Sequence, residues 1–187
     1  MTEQSLLARL SGVRLHLFHP DAQSVRAFCA SLTQLGCQAQ HSWPLPTQAP
    51  TDVHLVIVAV EPHYQQTLLP LLRAWRQANI PVIALADCQN ARLFPLLIEL
   101  QPTAIAERTL NPFALIVQVI GTLQATRQHA RQRVKVKSER LAQAKGMLMR
   151  EYGLDESGAY RFMRSEAMNT RSSMEYTAER VINSLQK

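Results

Sequence analysis

Apolar residues alternate, cluster and space themselves differently along the chain, and each pattern predicts an element. Val13 to Phe18 alternates and stops at His19-Pro20, which predicts a strand. Asp21 is placed to cap a helix running to about Leu35 and ended by Gly36. A short second strand is expected over 37–40, and the proline-rich stretch 43–50 must be a loop. Val53 to Val60 and Pro81 to Ala86 are nearly continuous apolar runs, which suits strands buried on both faces of a parallel sheet. Between them, Leu68, Leu71, Leu72 and Trp75 recur at helical spacing over 65–78. A helix over 90–100, a short strand over 103–106 and a short helical or irregular lead over 1–12 complete the first part. Alternating strands and helices of these lengths predict an α/β domain with a parallel sheet.

From Asn111 the pattern changes to one long helix reaching Tyr152, with Pro112 suited to its first turn. Steps of three and four connect Ile120, Leu123, Arg127, Ala130, Val134, Lys137, Leu141, Ala144 and Leu148, the spacing of a coiled-coil seam. We therefore expect a homodimer whose seam includes Ile120, Leu123, Ala130, Val134 and Leu141. Gly153 ends the helix and Asp155 can cap the next, whose stripe is Ala159, Phe162, Met163 and Ala167. Asn169-Thr170 breaks that stripe. Ser172 and Glu175 fit a capping box before a last stripe of Met174, Ala178, Val181, Ile182 and Leu185. Residues 139–187 thus read as three short helices around one small core.

Charge divides the chain more sharply than hydropathy does. Residues 1–126 carry seven arginines, no lysine and seven acids; residues 127–187 carry thirteen Lys+Arg against seven acids. The whole excess of +6 lies in the last third, which points to a polyanionic partner, nucleic acid first. A solvated basic helix is the plainer explanation of the same charge. The three cysteines, Cys29, Cys37 and Cys88, form no C-x-x-C pair and are expected to be buried free thiols. No apolar run suits a membrane span and no signal-peptide layout opens the chain, so a cytoplasmic protein is expected. There is no phosphate-binding glycine loop and no nucleophile with an evident base, so we expect no enzyme, cofactor or metal.

Gln143 to Met149, Tyr152-Gly-Leu-Asp155, Ala159-Tyr160, Arg164, Ala167-Met168 and Arg171 together resemble, in order and spacing, the ANTAR domain of RNA-binding transcription antiterminators. The α/β part resembles the receiver domain of bacterial response regulators without its chemistry. His19-Pro20 stands at the acidic pair, Ala59 at the phosphorylated aspartate, Ala86 at the hydroxyl and Arg108 at the lysine. Asp21, Asp52 and Glu61, the nearest carboxylates, read as a helix cap, a loop residue and a solvated strand end. The whole chain is similar to AmiR-type antiterminators: a receiver-like domain over 1–110, a helical coiled-coil linker over 111–138 and an ANTAR domain over 139–187.

That resemblance implies binding to stem-loops in leader mRNA, which keeps a terminator hairpin from forming and touches RNA polymerase only indirectly. It also implies control by a ligand-sensing repressor protein, similar to periplasmic binding proteins, in place of phosphorylation. Lys145, Arg164 and Arg171 are the expected RNA-facing cations, and small Ala144 and Gly146 the points of close approach. Met168 or Tyr160 could meet an unstacked base, Ser172 or Ser173 a phosphate at a helix start, and Met149 completes the expected RNA face. Two other readings stay open on sequence: a DNA-binding response regulator with a small basic three-helix domain, and a dimerisation or adaptor protein that binds no nucleic acid.

Overall fold

The structure, a computed structural model, describes residues 10–185. Most of the lead expected over 1–12 lies outside the described residues. Five parallel strands form one sheet: β1 (Arg14–Phe18), β2 (Gln38–Ser42), β3 (Leu55–Ala59), β4 (Val82–Ala86) and β5 (Ala104–Glu107), in the order β2-β1-β3-β4-β5. This is the flavodoxin-like order of receiver domains. The helices between them are α1 (Ala22–Gln34), α2 (Gln65–Gln77) and α3 (Phe94–Leu100), the last two each preceded by a short 3-10 turn.

Every residue of β3 and β4 is buried, as continuous apolar runs in the middle of a parallel sheet require. The two-residue alternation of a strand then divides them between two cores. Val56, Val58, Val82 and Ala84 face α2 and α3 with Phe18 and Trp75. Leu55, Ile57, Ile83 and Leu85 face α1 and the start of the next helix, with Phe28, Leu115, Val119 and Leu123. Asp21 caps α1 by accepting from the backbone of Gln23 and Ser24. Of the thiols, Cys37 is buried, Cys29 half-buried and Cys88 exposed, so burial is not the explanation of Cys88.

Helix α4 runs unbroken over Pro112–Tyr152, followed by α5 (Glu156–Asn169) and α6 (Met174–Leu185). The chain divides into two compact units, 1–126 and 127–187. The beginning of α4 belongs to the first unit and its end to the second, and three of the five expected seam residues pack within those units. Leu123 is buried on its own sheet, with Ile120 packed beside it. Leu141 packs into the core of the second unit. Only Ala130 and Val134 of the five remain exposed. A seam and a helix packed on its own domain share one spacing, so periodicity could not separate them. Among the described residues no helix is long and apolar enough to cross a membrane.

Candidate nucleic-acid interface

The second unit is built on small residues. Ala144 and Leu148 of α4, Ala159 and Met163 of α5, and Ala178 and Val181 of α6 form its core, and Ala144, Ala159 and Ala178 are completely buried. Alanines at these crossings let the three helices approach closely, so that even a 61-residue unit can close a core.

The turns are fixed by named groups. Gly153 takes φ +63° at the end of α4, a left-handed conformation that glycine adopts without steric cost. Asp155 caps α5 by accepting from the Gly158 amide at 2.7 Å, and that bond holds its carboxyl below the usual range. At the end of α5 the Ser172 amide donates to the Ala167 carbonyl and the Arg171 amide to that of Met168, a Schellman closure. Arg171 occupies its left-handed position, with φ +49°. The cap of α6 is Ser173, whose Oγ accepts from the Tyr176 amide at 3.2 Å. The expected capping role of Ser172 is thereby corrected. Its hydroxyl instead bridges those of Thr170 and Thr177.

Burial sorts the expected RNA-facing residues. Ala144 is fully buried between the helices and is no point of approach for a ligand. Lys145 is not a freely exposed cation: it is largely covered and donates to Glu156 Oε1 at 2.5 Å. Gly146 is half-buried, and a Cβ added there would meet nothing within 4 Å. Met149, Arg164, Met168, Arg171 and Ser173 are exposed. Tyr160, Arg164 and Met168 recur every four residues and form one ridge on α5, with Arg171 just beyond its end.

Charge pairing separates the cations further. Lys135, Lys137, Arg140, Lys145 and Arg180 pair with Glu139, Glu175, Glu179, Glu156 and Glu166 respectively. Among the described residues, Arg164 and Arg171 have no carboxylate within ion-pair distance. Five of the seven acids of this unit pair with cations of α4 or α6. Among the described residues, Arg127, Arg131, Arg133 and Arg150 of α4 are unpaired in the same way as the α5 arginines. Sequence reasoning missed Arg161, also exposed on α5, and the exposed rings of Tyr152 and Phe162, which stack with centroids 6.2 Å apart. Phe162, expected in the buried stripe with Ala159, Met163 and Ala167, is instead 46% exposed, because the alanine-rich core closes without it.

In the first unit, the residues expected at the receiver's phosphorylation corner are placed as follows. Ala59, fully buried, ends β3. Arg108 after β5 pairs with Glu61 after β3, so Glu61 is a largely covered ion-pair partner and not a solvated strand end. Asp52 pairs with Arg14 at 2.7 Å. His19, 5% exposed, accepts from the Asp21 amide through Nδ1, while its Nε2 has no partner. Burial pushes its pKa down, the ordinary response of a cationic group losing water. A cavity of about 540 Å³ opens here, lined by His19, Asp21, Asp87, Glu107 and Arg108 among others. Among the described residues no cluster of three or more His, Cys, Asp or Glu is placed to hold a metal ion.

Two family descriptions match this chain: "AmiR, N-terminal" over residues 13–122, and "ANTAR domain" over residues 128–182. The chain belongs to the AmiR family. Its similarity to the aliphatic amidase regulator of Pseudomonas aeruginosa is 23% identity over 179 residues, 91% of each chain. Among solved structures, a CheY-like receiver domain from Methanospirillum hungatei aligns with TM-score 0.50 and 12% identity, covering 64% of this chain and 99% of that one. That likeness concerns the fold of the first unit alone. The AmiR-family chain is therefore a transcription regulator that joins a receiver-like domain to an ANTAR domain, and its relatives are regulators rather than enzymes.

Proposed function

We propose that this AmiR-family protein is an antitermination regulator whose C-terminal unit binds stem-loops in leader mRNA. The observation that carries the reading is the exposed face of α5. Arg164 and Arg171 stand there without carboxylate partners, beside exposed Tyr160 and Met168. Cations for phosphates beside apolar surface for unstacked bases is the combination that looped RNA demands, since A-form stems offer side chains mainly phosphate and ribose. Binding that favours the antitermination hairpins over the terminator shifts their equilibrium by the difference in affinity, with no chemical step.

Control in this reading comes from a ligand-sensing partner protein. Buried Ala59 offers no acceptor for a phosphoryl group, and the Glu61–Arg108 pair occupies the corner next to it. A second copy would lie along residues 127–140 of α4, which are exposed throughout. A helix that is solvated all round gains little from its own packing.

The test is a binding comparison between the leader stem-loop, a stem of the same sequence closed without its loop, and duplex DNA. The reading requires preference for the looped RNA. Equal affinity for all three, or preference for DNA, contradicts it.

A further inference from the structure

On the flank of α5 away from Tyr160 and Arg164, a cleft of about 210 Å³ opens between the three helices of the C-terminal unit. Its lining includes Leu148 and Tyr152 of α4, Phe162 and Glu166 of α5, and Thr177 and Arg180 of α6. We propose that this cleft receives one unstacked nucleobase from the RNA loop, a proposal that rests on the RNA-binding reading above.

Three observations carry it. First, Tyr152 and Phe162 are 59% and 46% exposed although their rings stack on each other, interplanar angle 23°. They are left out of the small core beside them, where Ala159 and Met163 are fully buried. An exposed aromatic platform is the element by which proteins hold unpaired bases. Second, the cleft is smaller than the ~300–1,000 Å³ of drug-sized sites, a size suited to a single flat ring system. Third, the polar groups at its rim have capacity to spare. Arg180 Nη2 and Glu166 Oε1 are 3.5 Å apart, longer than the roughly 2.7–2.9 Å of a tight charge-assisted bond. Nucleobases carry donors and acceptors side by side on their pairing edges, so a base can accept from Arg180 while donating to Glu166. The Thr177 hydroxyl in the lining is already committed to the Ser173 carbonyl.

The placement also agrees with the cationic ridge. Ala159, Met163 and Ala167 turn one face of α5 into the core, which leaves Phe162 and Glu166 on one exposed flank and Arg164 and Met168 on the other. A loop draped across the outward face of a helix about 10–12 Å wide would meet phosphate-binding arginines on one side and the aromatic cleft on the other.

The experiment is a double-mutant cycle with the full chain. Wild type, Phe162→Leu and Tyr152→Leu are titrated against the leader stem-loop and against a series in which each loop nucleotide in turn is abasic. Thermal melts verify that each variant folds. We expect one abasic position to weaken wild-type binding by roughly 5- to 150-fold, the range of one base–aromatic stack. That loss should shrink to a few-fold in the two variants. Glu166→Gln, which places a donor beside Arg180, should change which base is preferred at that position only. If every abasic RNA loses the same factor with wild type and variants, or the variants bind intact RNA as wild type does, the cleft holds no base although the RNA-binding reading stands. Wild type that does not distinguish the stem-loop from duplex DNA overturns both.

Discussion

Lys145 Nζ lies 2.5 Å from Glu156 Oε1, so this cation of α4 is tied to the first turn of α5. Hydrogen bonding to Lys145 holds the Glu156 carboxyl below its usual range. The contribution of that carboxylate is present at neutral pH and is lost as pH falls through its lowered folded pKa. Lys145→Ala should therefore lower the melting temperature of the C-terminal unit at pH 7 and have a smaller effect near pH 3. It should weaken leader-RNA binding less than Arg171→Ala does. Equal losses of affinity in the two variants would show that Lys145 leaves Glu156 to reach the RNA.

Ala144 and Gly146, adjacent but for one residue, should respond in opposite ways to added side-chain volume. Ala144 is enclosed by α5 and α6, and Ala144→Leu should destabilise the unit by about 1–3 kcal/mol through overpacking. A Cβ at Gly146 meets open space within α4, and Gly146→Ala should stabilise by about 0.5–1 kcal/mol. Denaturant melts of the two variants check both. Should Gly146→Ala stabilise the fold and also weaken RNA binding, the RNA backbone passes close to that turn.

The two glycine-like positions near α5 differ in what occupies them. Gly153 is a glycine, whereas Arg171 holds a left-handed φ of +49° with a full side chain. A left-handed conformation costs an L-residue about 1–2 kcal/mol. Arg171→Gly should raise stability by about 1 kcal/mol and at the same time reduce affinity for the stem-loop. Asn79 and Gln101 also take left-handed φ, so the strain alone assigns Arg171 no role and the RNA affinity of the variant decides it. A variant that gains stability and binds RNA normally would remove Arg171 from the interface.

The N-terminal unit should weaken in mild acid. Burial lowers the pKa values of His16 and His19 below the ordinary 6.5, so the folded state binds fewer protons there than the unfolded chain. Stability then rises with pH across that window: it is complete above about 6.5 and declines as pH falls toward the folded pKa values. Denaturant titrations of the full chain at pH 7.5, 6 and 5 measure this through Trp75, which is fully buried in that unit. His19→Gln should flatten the curve. Constant stability across these pH values would mean that both imidazoles stay accessible to protons.

Strands β3 and β4 were legible because burial on both faces leaves no polar position, as Leu55 to Ala59 and Val82 to Ala86 show. The helix ends were legible from Pro112, Gly153 and Asp155, whose backbone chemistry acts locally. What sequence could not resolve was the partner of each apolar face. Leu123 fits a coiled-coil seam and its own sheet equally well, because both present the same spacing to the helix. Ala144 is small for close helix packing, and smallness alone cannot say whether helix or RNA makes the approach. The cap of α6 shifted by one residue, from Ser172 to Ser173, because Arg171 takes the left-handed turn that composition assigns to glycine or asparagine. Pairing of charges was invisible as well. Net charge pointed to the C-terminal third, but which glutamate meets which cation, Glu156 with Lys145 and Glu166 with Arg180, depends on how the three helices pack.

A defined RNA site on α5 and a diffuse basic surface differ in which arginines matter. The affinity of the full chain for the leader stem-loop in four variants separates the two: Arg164→Ala, Arg171→Ala, Arg127→Ala and Arg131→Ala. All four side chains are exposed, and the last two lie on α4, upstream of the site. With a defined site, Arg164→Ala and Arg171→Ala should each cost about 1–3 kcal/mol and reduce the preference for intact over scrambled loops. Arg127→Ala and Arg131→Ala should have little effect. Equal losses in all four variants, with the preference for the intact loop unchanged, would mean that the basic surface is diffuse and α5 holds no defined site.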